Sequence, residues 1–85
     1  MRENMTQRED ILKAALDARV QEVMHYQINI DNYTLALDRI DGMGDRDQQE
    51  LAGFRDQLET LLASEKLEQK KARVMLDVLR AQVEG

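Results

Sequence analysis

The sequence predicts an all-α chain: an antiparallel two-helix hairpin, two copies of which pair into a four-helix bundle. Three observations predict it. Apolar residues recur at alternating spacings of three and four through most of the 85 residues. There is no Pro, and Gly occurs only at positions 42, 44, 53 and 85, so helix is interrupted only near the middle. Both halves also carry a second apolar stripe that a single hairpin leaves wet.

The elements follow in order. Residues 1–5 read as a frayed start. Thr6 and Glu9 form a T-x-x-E capping box, and Asp10 adds negative charge where the helix dipole favours it. Leu12, Leu16, Arg19, Val23, Tyr26, Ile30, Tyr33, Leu37 and Ile40 then hold one seam. A helix over about residues 7–41 is roughly 52 Å long at 1.5 Å per residue. The turn falls at about 42–46, within Asp41-Gly42-Met43-Gly44-Asp45. Gly42 suits a left-handed position after the helix, and Asp45 or Asp47 suits the next cap, with Glu50 completing D-x-x-E. A second helix follows over about 47–84. Leu51, Phe54, Leu58, Leu61 and Leu62 open its seam, and Ala72, Met75, Leu76, Leu79 and Val83 close it. Gly53 is expected at its surface. The whole chain, 1–85, is one domain. With the turn centred near Met43, residue i of the first helix lies level with 87−i of the second. Tyr33 is then level with Phe54, and Arg19 with Glu68.

The second stripe is Val20, Met24, Ile28 and Leu35 on the first helix, with Leu67, Val74 and Val78 on the second. If each residue is worth ~1.5–3 kcal/mol when buried, these faces are too valuable to leave in water. Self-association is the expected outcome, with a dimer favoured. A different protein partner is the rival occupant.

One zone of the seam is polar. Arg19 holds a core-type position on the first helix, and Glu65 and Glu68 hold them on the second. A part-buried ion pair of Arg19 with Glu68 or Glu65 is expected there, choosing register more than adding stability. An alternative starts from Glu22-Val-Met-His25. This E-x-x-H resembles the di-iron motif of ferritin-like bundles. The resemblance implies a metal site of Glu22, His25 and Glu65 completed across a dimer. The favoured reading has no metal and no cofactor. Tyr26 and Tyr33, one heptad apart, read as core aromatics with hydroxyls at the edge. Asn29 and Asn32 flank Ile30 and are placed to bond across helices. Arg55, Lys66, Lys70, Arg73 and Arg80, interleaved with Glu59 and Asp77, read as a solvated flank.

Composition narrows the function. The net charge of −5 argues against nucleic-acid binding, and no apolar run is long enough for a membrane span. The absence of Cys removes disulfides and thiolate metal sites and fits a cytoplasmic location. There is no phosphate-cradling loop and no HExxH, and the lone Ser64 has no visible base, so an enzyme is not expected. In size, acidity and helical simplicity the chain resembles the small accessory proteins that bacteriophages encode, some of which bind and disable host proteins. That resemblance assigns no residue. It implies a protein–protein interaction module, and the residue pattern points the same way.

Overall fold

The computed structural model describes residues 2–84, with side chains from residue 7 onward. It is all-helical. Two long helices, α1 (Arg2–Asp41) and α3 (Ala52–Glu84), are joined through a short one, α2 (Asp45–Glu50). No helix among the described residues is long and apolar enough to cross a membrane. α1 begins at Arg2 rather than near residue 7. Arg, Glu and Met early in the chain are good helix formers, and nothing before Thr6 breaks the helix. The backbone of Thr6 is therefore interior to α1, so the capping box does not mark its start. The Thr6 side chain lies outside the described residues.

The turn is built differently from the expectation. No described residue, Gly42 included, has a positive φ. The chain instead keeps right-handed geometry: the Gly42 amide donates to the Asp38 carbonyl at 3.1 Å, and the Met43 amide to the Ile40 carbonyl at 3.0 Å. The Gln48 side chain then satisfies the open end of α1. Its amide donates to the Met43 carbonyl at 2.8 Å and the Asp41 carbonyl at 3.2 Å. Gly44, extended at φ −69° and ψ 163°, caps α2 with backbone alone. Asp45 and Asp47 lie inside the first turn of α2 and supply charge to its dipole instead of capping. A break at Leu51 divides the second helical stretch into α2 and α3. The backbone bond from the Arg55 amide to the Leu51 carbonyl, 2.8 Å, carries the chain across it.

α1 and α3 lie side by side and run in opposite directions, giving a rod of 69 × 15 × 14 Å. Three links fix the direction. Arg55 pairs with Asp41, Asn29 donates to Glu65, and Gln69 donates to the Val23 carbonyl. Residue i of α1 is thus level with about 94−i of α3, not 87−i. The offset has a plain cause: α2 takes up the residues that a tight turn at Met43 would have paired directly. Seven residues of helix move every layer by about 10 Å. Tyr33 becomes level with Leu61, and Arg19 with Met75.

Every seam residue expected on α1, from Leu12 to Ile40, is buried or half-buried. Beyond the break the seam starts at Leu51 and continues along α3 through Arg55, Leu58, Leu62, Glu65, Gln69, Ala72, Leu76 and Leu79. Phe54, Leu61, Met75 and Val83, expected in it, are exposed. Among the described residues the buried apolar ones are Ile30, Ile40, Leu58, Ala72 and Leu76, and Gln69 is buried with them.

Candidate interaction surface

The polar groups of the seam come first. Arg19 is half-buried and bonds Glu22, one turn along its own helix, at 2.9 Å. Glu68 pairs with Lys71 at 2.9 Å, again within its own helix. The expected Arg19 pairing with Glu68 or Glu65 does not form, because the register places Glu68 about seven residues from the level of Arg19. Glu65 keeps its seam position but accepts from the Asn29 side chain at 3.3 Å. Asn29 therefore bonds across the helices as expected, while Asn32 is exposed. The most buried polar group is one that pattern reading missed. Gln69 donates to the Val23 carbonyl at 3.2 Å and to the Gln27 side chain at 3.0 Å. Its signal was its seven-residue spacing from Leu62 and Leu76, which the polar side chain concealed. Arg55, expected on the solvated flank, reaches Asp41 and Glu59 from a seam position.

Glu22, His25 and Glu65 are not brought together within the chain. Glu22 is held by Arg19, His25 is exposed, and Glu65 is level with Asn29. Among the described residues no three His, Cys, Asp or Glu side chains group closely enough to hold a metal ion.

The apolar surface is the larger feature. Met24, Ile28 and Leu35 are 58%, 57% and 65% exposed, and Leu67, Val74 and Val78 are 54%, 61% and 47% exposed. Val20 is half-buried. Phe54, Leu61 and Met75 join the α3 group, while Ile11, also exposed, lies off the α1 stripe. An open depression lined by Asp56, Gln57, Thr60 and Leu61 lies on the same part of α3.

The two groups occupy different sides. The Asp41–Arg55–Glu59 chain and the Gln27–Gln69 bond mark one flank of the packed pair. The Asn29–Glu65 bond marks the other. Seven-residue steps keep Val20, Gln27 and Asp41 in one column on the first flank, with Met24 just outside it. On α3 the first-flank column is Glu59, Lys66, Arg73 and Arg80, all charged. Phe54, Leu61 and Met75 fall in the column of the opposite flank. Val78, Leu67 and Val74 lie just outside them.

Charge is uneven too. Residues 31–65, at the turn end, hold nine acids and three bases, a net −6, while the rest of the chain sums to +1. The boundary lies at the level of the Asn29–Glu65 bond. No protein-family model, curated protein or solved structure matches this chain.

Proposed function

We propose that this chain is a protein–protein interaction module: a helical hairpin that self-associates, with a dimer favoured, and offers a remaining helix face to a different protein. The observation behind the proposal is the excess of exposed apolar side chains over buried ones. A compact monomer of 9.9 kDa exposes roughly 5,200 Å². The chain exposes 6728 Å². The surplus, roughly 1,500 Å² of polar and apolar surface together, reflects the open 69 × 15 × 14 Å rod and leaves room for the roughly 800 Å² that each partner contributes to a standard stable interface. Binding of a host protein, as the resemblance to phage accessory proteins implies, falls within this reading.

Light scattering and sedimentation of the purified chain from low to high micromolar concentration test the proposal. A dimer or larger species that dissociates on dilution is expected. A monodisperse monomer throughout that range, still fully helical by circular dichroism, would remove self-association and leave only the heterologous partner.

A further inference from the structure

We infer that the self-associating face is the exposed stripe of α3, and that a second copy docks on it antiparallel, about a two-fold axis near the level of Lys66. This rests on the self-association proposed above and assigns its surface.

The chemistry of the two apolar faces separates them. On α1, Met24 shares its column with Asp17, Asp31 and Asp38, all exposed. A contact of this face with its own copy sets those carboxylates, three per chain, beside a desolvated surface. The α3 face is almost free of charge. The three columns that carry Phe54, Leu61, Leu67, Val74, Met75 and Val78 otherwise hold small or neutral residues between 53 and 82, apart from Glu68 and Lys71. Those two neutralise each other at 2.9 Å. On the same flank α1 offers Ala15 and Ala36, with Asn29 between them and Glu22 neutralised by Arg19 at 2.9 Å. A self-contact needs a surface complementary to itself, and only the α3 face meets that condition.

Orientation follows from two midpoints that coincide. Lys66 lies halfway along α3 between Phe54 and Val78. It is also where the charge changes sign: residues 50–65 carry a net −3 and residues 66–80 a net +3. A two-fold axis at that level superposes the stripe on itself, with Phe54 across from Val78 of the second copy. It also lays the acidic end of each chain along the basic stretch of the other. A parallel arrangement sets the two acidic turn ends side by side. The preference weakens with salt, because much of this charge acts from the outer flank across a screening medium.

Two paired substitutions and one crosslinking experiment test the assignment. Leu67→Glu with Val74→Glu should raise the dimer dissociation constant about a hundredfold, because it buries carboxylates at the contact. Met24→Glu with Ile28→Glu should leave it within about threefold. All four positions are exposed in the single chain, so helicity at low concentration should be unchanged in both. The chain has no native Cys. Phe54→Cys mixed with Val78→Cys should therefore crosslink through a short bis-maleimide about tenfold more efficiently than either variant alone. Dissociation by the α1 pair, alone or as well, overturns the assignment. So does a Phe54→Cys variant that crosslinks to itself as readily as to Val78→Cys. Either result leaves self-association standing. A parent that is monomeric at every concentration removes the self-association reading and this assignment together.

Discussion

Gln69→Glu is the sharpest probe of the helix pairing. Gln69 is 7% exposed, and both of its bonds leave from the side-chain nitrogen. Replacing that nitrogen by a carboxylate oxygen turns two donations into two acceptor-to-acceptor contacts. The Gln27 amide is exposed at its own position and can rotate to donate. The Val23 carbonyl cannot. The loss is one or two bonds of about 1 kcal/mol each, plus desolvation of a charge, for a total on the order of 3 kcal/mol. For a domain of this size that corresponds to a fall in Tm of roughly 15 °C. The assay is thermal and urea unfolding followed by circular dichroism, at one fixed protein concentration. Acidification supplies the sign check. Burial favours the protonated form of the new carboxyl, so its pKa rises on folding. The destabilisation is then full above the folded pKa and fades as pH falls toward the ordinary glutamate range. Gln69→Leu should be neutral or stabilising, because the Val23 carbonyl retains its helical partner. A Gln69→Glu chain that melts within about 2 °C of the parent at pH 7 would show that position 69 is not held against α1.

Arg55→Ala removes the links to Asp41 and Glu59 near the turn; the pair is part-exposed, so a loss of only about 1 kcal/mol in urea unfolding is expected. Gly53→Ala should stabilise by roughly 0.5–1 kcal/mol, since Gly53 lies within α3 and a Cβ there meets nothing within 4 Å. Gly44→Ser should add roughly 0.5–1 kcal/mol through a side-chain cap and a less flexible unfolded chain, because φ is already negative and the Cβ position is open. Addition of a chelator should leave Tm unmoved; a drop would return attention to Glu22, His25 and Glu65.

The all-helical character and the α1 seam were legible because a sustained 3/4 pattern fixes both helix and face. Leu12 to Ile40 needed nothing more. The α3 face was only half legible. Its seam passes through Arg55, Glu65 and Gln69, and polar side chains at core spacing look like interruptions. Phe54 and Leu61 drew the reading one residue off the true column. Register was the largest miss, and the polar layer failed with it. A short helix between Gly44 and Leu51 changes no hydrophobic pattern, yet it displaces every cross-helix pair by seven residues. Arg19 therefore found Glu22 on its own helix, and Asn29 found Glu65. Of the second stripes, Met24, Ile28, Leu35, Leu67, Val74 and Val78 are exposed as expected, Val20 is half-buried, and Phe54, Leu61 and Met75, expected in the seam, are exposed as well. Their placement on different sides was not legible, because that depends on which α3 column faces α1.

The antiparallel course of α1 and α3 has a mechanical consequence. Both ends of the described chain, Arg2 and Glu84, lie at the end of the rod away from the turn. A load applied between them meets the layers one after another, from Leu79 toward Leu58, and never all at once in shear. The chain opens like a zipper, each step exposing one rung of side chains. Fusion or tethering at both termini leaves on the same side, so the acidic tip from Asp41 to Glu50 stands free at the far end. A pulled molecule would yield gradually at low force, and its last link to break would be the Arg55–Asp41 pair beside the turn.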